Sequence, residues 1–202
     1  MQKTALRDKS GTLRIIAGAW RGRKIEVPAG DKVRPTSDRV REALFNRLVH
    51  GFAETSFRLP GAHVADVFAG AGALGLEALS RGASHATFIE KDLNVAEGIR
   101  RNIAKLGAED RSTVLVADGA KLPRSSVRHN LVLADPPYGE DLIGDMLASL
   151  SLQEWLTPDA LICIESEVLD EVAEQEGFKI LDRRTYGRSA ITVLQKTTLA
   201  PK

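Results

Sequence analysis

The sequence predicts an α/β fold with a doubly wound, mostly parallel sheet, and three observations carry that expectation. From Val64 onward, short and nearly continuous apolar runs alternate with amphipathic stretches; a glycine-rich turn joins the first run to the first such stretch; and the chain ends in two β-rich runs around a tight turn. Strands apolar on both faces belong to a parallel sheet covered by helices on each side. The 202 residues suffice for one domain with a small appendage. Hydrophobic residues at 43% and charged residues at 27% are ordinary globular values, which excludes a disordered or fibrous chain. The lone cysteine, Cys163, cannot close an intrachain disulfide, so nothing argues for an oxidising compartment. No apolar run approaches the roughly 18 to 20 residues that a bilayer span requires, and residues 1–11 are polar and basic with no hydrophobic signal core. The expectation is a soluble, cytoplasmic monomer with no membrane partner.

Taken in order, residues 1–11 read as a flexible basic tail. Two β-rich runs, 13–16 and 24–27, flank Gly18-Ala19-Trp20-Arg21-Gly22, whose glycines predict a hairpin. An isolated hairpin is marginal in water, so this one needs a larger surface to pack on. After Arg34-Pro35-Thr36, Ser37 or Asp38 can cap a helix with the apolar face Val40, Ala43, Leu44 and Leu48. Hairpin and helix, residues 12–50, form an extension to a main domain of residues 51–202. Within that domain the predicted strands are 64–69, 86–89, 113–117, 131–134 and 160–164, with helices over 73–80, 93–106 and 140–150. Runs 178–186 and 191–195, joined at Gly187-Arg188-Ser189, predict a terminal hairpin that supplies an antiparallel edge.

A formal net charge of +1 conceals an asymmetry. Residues 1–50 carry 12 Lys/Arg against 5 Asp/Glu, a local +7, whereas residues 51–202 carry 16 against 22, or −6. Such a split suits a basic extension that meets a polyanion, although a solvated charged surface has the same composition.

Gly70-Ala71-Gly72-Ala73-Leu74-Gly75 follows a predicted strand and opens a predicted helix, which is the context that gives G-x-G-x-x-G its meaning. Glu90 stands 20 residues after the first glycine, where a carboxylate accepts from the ribose of a dinucleotide or of any adenosine cofactor. Asp66 weighs between the two. A pyrophosphate sits on backbone N–H groups and a helix N-terminus, and a nearby carboxylate adds unfavourable charge. S-adenosylmethionine has no phosphate and carries sulfonium and ammonium cations, which the same carboxylate attracts. Asp118, ending the third strand, can accept from an adenine amino group. Each of Asp66, Glu90 and Asp118 alone reads equally as a turn or cap carboxylate. At three successive carboxyl ends of strands they describe a pocket for a cationic adenosine ligand. Phe68, Gly70, Ala71, Gly72, Lys91, Gly119 and Ala120 complete the expected pocket, with no metal in it.

Leu131-Val132-Leu133-Ala134 runs directly into Asp135-Pro136-Pro137-Tyr138-Gly139. Two prolines remove two backbone donors and fix φ, so this loop is stiff and offers acceptors and an aromatic face. An exocyclic amine on a nucleobase is a poor nucleophile because its lone pair is delocalised into the ring. Asp135 and the Pro136 carbonyl can accept its two N–H donors and hold the nitrogen near tetrahedral geometry, with Tyr138 stacked on the base. A rigid turn with Tyr138 as packing is the plainer alternative.

With these residues in view, the chain resembles the RsmD family of bacterial ribosomal RNA guanine-N2 methyltransferases over roughly residues 13–196. The resemblance rests on Leu13-Arg14-Ile15-Ile16-Ala17-Gly18, Trp20-Arg21-Gly22-Arg23-Lys24, Arg34-Pro35-Thr36-Ser37-Asp38-Arg39-Val40-Arg41-Glu42-Ala43-Leu44-Phe45-Asn46, Asp66-Val67-Phe68-Ala69-Gly70, Gly75-Leu76-Glu77-Ala78-Leu79-Ser80-Arg81-Gly82, Phe88-Ile89-Glu90-Lys91-Asp92 and Asp135-Pro136-Pro137-Tyr138. It implies a Rossmann-like class I sheet, S-adenosylmethionine as donor, S-adenosylhomocysteine as product, and a guanine amine of 16S rRNA in the assembled small subunit as acceptor. It carries Asp66, Gly70, Glu90 and Asp118 to the cofactor site and Asp135, Pro136, Pro137 and Tyr138 to the amine site. Some relatives have Phe at the last position, so the ring of Tyr138 matters and its hydroxyl does not. Arg14, Arg21, Arg23, Lys24, Arg34 and Arg39 become candidates for RNA phosphates, and Trp20 for stacking, with a core position its equal alternative.

Three other readings stay open at this point: a DNA adenine or cytosine amino methyltransferase using the same Asp-Pro-Pro-Tyr chemistry, a nicotinamide oxidoreductase using the glycine loop and Glu90, and an RNA-binding module without catalysis. His50, His63, His85 and His129 are scattered without ligand spacing and read as surface or locally bonded residues, and Cys163 reads as a small buried hydrophobe.

Overall fold

The computed structural model describes residues 11–27, 38–50, 52, 55–137, 142–170, 172–173 and 175–197. The apolar runs become strands β3 (His63–Val67), β4 (His85–Glu90), β5 (Ser112–Val116), β6 (His129–Ala134) and β7 (Leu156–Glu167), followed by the hairpin β8 (Phe178–Tyr186) and β9 (Ser189–Lys196). They form one seven-stranded sheet in the order β5-β4-β3-β6-β7-β9-β8, parallel up to β7 and antiparallel beyond it. The terminal hairpin therefore supplies the antiparallel edge, with β8 outermost. Successive side chains of a strand face opposite sides. Leu131 and Leu133 accordingly enter one buried cluster, and Val132 and Ala134 the other.

Helices α2 (Ala73–Ser80) and α3 (Leu93–Leu106) cover the first face, and α4 (Leu142–Leu152) the second through Met146, Leu147 and Leu150. Local chemistry sets the bounds of α3: the Asp92 carboxylate accepts from the N–H groups of Asn94 and Val95, and Gly107 closes the helix in the left-handed conformation. Strands β3 and β6 are neighbours although β4 and β5 intervene in sequence, so the winding reverses between them. A reversal of this kind opens a crevice at the carboxyl ends of the strands.

The amino-terminal extension shares the first core. Strands β1 (Gly11–Arg14) and β2 (Lys24–Val27) pair antiparallel, and α1 (Asp38–His50) follows them. Ile15, Trp20, Ile25, Val40, Leu44, Phe45 and Leu48 are buried in the same cluster as Leu76, Leu79 and Phe88. Polar contacts fix the docking. Glu77, fully buried on α2, accepts from the backbone N–H groups of Ile16 (2.7 Å) and Ala17 (3.0 Å) and from Arg81 (2.7 Å). The Ser80 carbonyl accepts from Ala19, and its hydroxyl accepts from the Trp20 N–H and donates to the Ala17 carbonyl. Gly18 lies so close that a Cβ there would fall 1.9 Å from the Ser80 carbonyl oxygen, and its φ of +83° also favours glycine. The Asn102 amide of α3 pairs with both backbone groups of Glu26, as an extra strand would.

Some details depart from the sequence expectation. Strand β1 ends at Arg14, because the turn tightens and Ile15 donates to Arg23 outside the regular ladder. Strand β7 is 12 residues long against the five expected, since Thr157-Pro158-Asp159 is polar and irregular and the ladder shifts register between His129 and Leu131. Three of the four histidines, His63, His85 and His129, open β3, β4 and β6, while His50 ends α1. The rings of His63 and His85 stack at 6.0 Å, and buried His129 lies on Trp155 at 5.2 Å, its proton affinity pushed down to about 4 by burial. Among the described residues no group of three or more His, Cys, Asp or Glu is arranged to hold a metal. Cys163 is buried in β7, and loss of solvent raises its thiol pKa.

Removing the Glu77 carboxylate would strand two backbone donors and the Arg81 guanidinium in the core. Glu77→Ala is expected to lower unfolding stability by about 3–5 kcal/mol, the usual loss when one partner of a buried charged pair is deleted. A urea titration checks this, and a change below about 1 kcal/mol would show that the hairpin docks without it.

Candidate active site

The crevice is assembled from the carboxyl ends of β3, β4, β5 and β6. Asp66 is 1% exposed, and its Oδ2 accepts from the Gly75 N–H at 2.8 Å, which joins β3 to the first turn of α2. A Cβ on Gly75 would lie 2.4 Å from the Phe88 ring and 3.1 Å from the Asp66 carboxylate, so the third glycine of the loop is there for close packing of helix on strand. Phe68, just past β3, has φ of 62°, a strained conformation for a non-glycine residue where the chain leaves the sheet. Glu90 accepts through one oxygen from Gly70 (3.0 Å) and through the other from Asp92 (2.9 Å). That carboxylate is oriented, half-buried, and retains acceptor capacity. Asp118 is exposed beyond β5, where its Oδ1 accepts from the Ala120 N–H at 3.0 Å. Gly119 and Ala120 are buried beside it, and Lys91 is exposed.

The acids act on one another. Burial raises the Asp66 pKa to about 8, the Gly75 N–H works against that rise, and the charges of Asp135 and Glu90 add to it. Asp135 follows β6, whose Ala134 pairs with Val67 of β3, and is half-buried; Pro136 is buried and Pro137 exposed. Tyr138 and Arg34 lie outside the described residues.

Three sequence expectations meet the geometry differently. Asp66 stands behind the glycine loop and not at its mouth, because its side chain shares the face of β3 that α2 covers. Trp20 is only 9% exposed and packs in the core beneath the Arg111 guanidinium, 5.2 Å from the ring centre, so the stacking role is withdrawn. The three loop glycines are already engaged: Gly70 donates to Glu90, Gly72 to the Ala69 carbonyl, and Gly75 to Asp66. A pyrophosphate would need those N–H groups, which tells against the nicotinamide reading. A lining that includes Asp66, Glu90, Asp118 and Asp135 fits a cationic adenosine ligand.

Of the remaining basic candidates, Arg14, Arg21, Arg23, Lys24 and Arg39 are exposed. Arg14 pairs with Asp38 at 3.0 Å, and Arg23 donates to the Lys105 carbonyl. Sequence reasoning missed Asn102, whose Nδ2 also donates to the Ala71 carbonyl of the glycine loop at 3.1 Å. Its signal was an amide on the apolar face of α3 between Ile99 and Leu106.

Comparison with known proteins agrees with this geometry. The sequence profile of the family described as "Conserved hypothetical protein 95" matches residues 13–195. Ribosomal RNA small subunit methyltransferase D of Escherichia coli (strain K12) is 39% identical over 194 residues, covering 89% of this chain and 94% of that protein. The chain belongs to the RsmD family. A second RsmD relative, from Haemophilus influenzae, is 36% identical over 191 residues, 93% of this chain and 95% of its own length. The solved structure of Escherichia coli yhhF superposes with a TM-score of 0.76 at 38% identity, covering 93% of this chain and 99% of that one. An RNA methyltransferase from Salinibacter ruber, solved with S-adenosyl-L-homocysteine, is 14% identical with a TM-score of 0.64 over 84% of this chain and 97% of that one, and shares the fold. The RsmD sheet is thus the Rossmann-like sheet of class I S-adenosylmethionine-dependent methyltransferases.

An unfolded aspartate titrates near about 3.9, whereas folded Asp66 holds its proton up to about 8. The folded chain thus binds more protons than the unfolded one across that window, and stability falls as pH rises through it. Asp66→Asn keeps an acceptor for Gly75 and is expected to abolish this fall. Thermal midpoints of the two proteins recorded from pH 5 to 8 test the point; parallel curves would contradict it.

Proposed function

We propose that this chain transfers a methyl group from S-adenosylmethionine to the exocyclic N2 amine of a guanine in 16S rRNA, with the assembled small subunit as substrate and no metal involved. One observation carries the reading: Asp66 feels the charge of Asp135, which opens the proline ledge, and separately that of Glu90, so ledge and crevice have one buried carboxylate as common neighbour. An anionic crevice and an amine-binding ledge therefore adjoin at the winding reversal. The names of the Escherichia coli and Haemophilus influenzae relatives support ribosomal RNA as the acceptor.

The bound donor supplies an electrophilic methyl group on a sulfonium. The residues of the chain position the partners. Glu90, already set by two backbone donors, accepts from ribose hydroxyls, and Asp118 accepts from the adenine amine. Asp66 and Asp135 attract the donor's positive charge, and a cation there favours the ionised form of Asp66. Asp135 and the Pro136 carbonyl accept the two N–H groups of the guanine amine and turn its lone pair toward the methyl. Prolines on both sides of that carbonyl's peptide plane keep the ledge from yielding. Alignment of this kind can contribute roughly 7–11 kcal/mol. Asp135 orients the amine and accepts from it without taking its proton before attack; once the methyl has passed from the sulfonium to N2, leaving S-adenosylhomocysteine, the nitrogen carries a positive charge and releases one proton to Asp135 or to water. Tyr138 supplies the stacking ring.

The basic extension serves RNA phosphates. Its turn docks at the Ser80 end of α2, and an eight-residue helix is about 12 Å long. Arg21, Arg23 and Lys24 thus meet RNA from a turn seated at the end of α2 opposite the glycine loop. A DNA amino methyltransferase would use the same ledge, and methyl transfer assayed on duplex DNA beside small subunits separates the two.

Asp135→Ala is expected to slow transfer to small subunits by roughly 100- to 1,000-fold, as when one preorganised hydrogen-bond partner is lost, with cofactor affinity close to wild type. Labelled-methyl transfer and calorimetry measure the two effects, and undiminished turnover would remove Asp135 from the site. Binding to 16S rRNA should weaken log-linearly with salt, by about 0.7–0.9 in slope per phosphate neutralised. The double variant Arg21→Ala, Lys24→Ala should flatten that slope by about two such increments, whereas an identical slope would take the hairpin out of the interface.

A further inference from the structure

Beyond the amine ledge the sheet continues on one side. Strand β6 ends at Ala134, paired with Ile164, while β7 runs on through Glu165, Ser166 and Glu167 and turns at Val168-Leu169-Asp170. Leu169 is 88% exposed, the most solvent-accessible large hydrophobic side chain among the described residues. The turn that displays it is well braced. Val168 donates to the Arg188 carbonyl (3.0 Å) and Asp170 to the Glu167 carbonyl (3.1 Å). Arg183 donates to the carbonyls of Val168 (2.9 Å) and Asp170 (3.3 Å), and the buried Ser166 hydroxyl donates to that of Glu167 (3.2 Å). Arg188 is exposed at the adjoining β8–β9 turn. A hydrophobic side chain held in water by a rigid turn, with an arginine beside it, faces the same end of the sheet as Asp135.

We propose that Leu169 is a wedge that enters the RNA stack next to the target guanine and fills the place the base leaves as it is drawn onto the Asp135 ledge, with Arg188 on the flanking phosphate. This rests on the function proposed above. The ledge is recessed, with Pro136 buried and Asp135 half-buried, so a guanine still stacked in a helix cannot bring its amine there. Enzymes that modify a base take it out of its stack, and proteins that open base steps do so with Leu, Ile, Phe or Met side chains. Strand geometry places Leu169 within about 14 Å of Asp135, one strand over and four residues on. The chemistry expected of the partner is therefore a structured RNA whose target base is extruded, and not a free nucleoside.

The test is single-turnover methyl transfer to small subunits by wild type, Leu169→Ala and Leu169→Met, with subunit affinity measured separately. The alanine variant should keep its melting temperature and cofactor affinity, bind subunits nearly as well as wild type, and transfer at saturation roughly ten- to a hundredfold more slowly, the rate equivalent of part of one unstacked step. Methionine should restore most of the rate. An unchanged saturating rate in Leu169→Ala overturns the wedge, as does a defect confined to affinity, which is the mark of a leucine docked on a ribosomal protein. Absence of transfer by the wild type is a different result, and it overturns the functional reading together with the wedge that depends on it.

Discussion

Helix α2 is held by two buried carboxylates, and the rest of the molecule hangs on that arrangement. Asp66 grips its first turn through the Gly75 N–H, and Glu77 reaches from its last turn to the hairpin backbone. A helix of eight residues is far below the length of roughly 12–15 at which an isolated helix becomes even marginal in water. Tertiary anchors therefore decide where it sits. Its position in turn sets the glycine loop at one end and the seat of the hairpin at the other, so the cofactor crevice and the basic extension share one support.

The carboxylates of the crevice repel one another, and burial makes Asp66 the group that yields by keeping its proton. That mutual repulsion is an electrostatic cost the fold carries in the crevice. A cationic ligand relieves it, whereas a phosphate would aggravate it. Under the proposed function, preference for one class of adenosine cofactor over another would come from charges placed under and around the loop, since the loop's glycine spacing is common to both.

Much of this was legible in the sequence. Runs apolar on both faces, such as 64–69 and 131–134, can only be central strands of a covered sheet, and Asp135-Pro136-Pro137-Tyr138 is a rare enough combination to mark its own chemistry. What escaped was whatever depended on distant partners. Trp20 stands among arginines in the sequence and looks available, yet the seat of its turn on Ser80, 60 residues away, drives the ring inward. Asn102 joins β2 to the glycine loop by hydrogen bonds across 76 and 31 residues, which no local period reveals. The ends of β7 were hidden because both are polar: Thr157-Pro158-Asp159 bulge out of the ladder at one end, and Glu165, Ser166 and Glu167 pair with β9 at the other without an apolar signal. The division at residue 50 followed the change in charge, but charge lies on the surface, and beneath it the extension and the main domain pack into one cluster.

That common core has a consequence for how a large substrate is chosen. A hairpin on a tether could swing to suit many shapes; this one is welded to the scaffold, and the spacing from its turn to the reactive crevice is the length of one short helix. Under the proposed function the protein would act as a caliper of fixed opening, admitting only those polynucleotide surfaces whose contour presents backbone and base at that separation simultaneously.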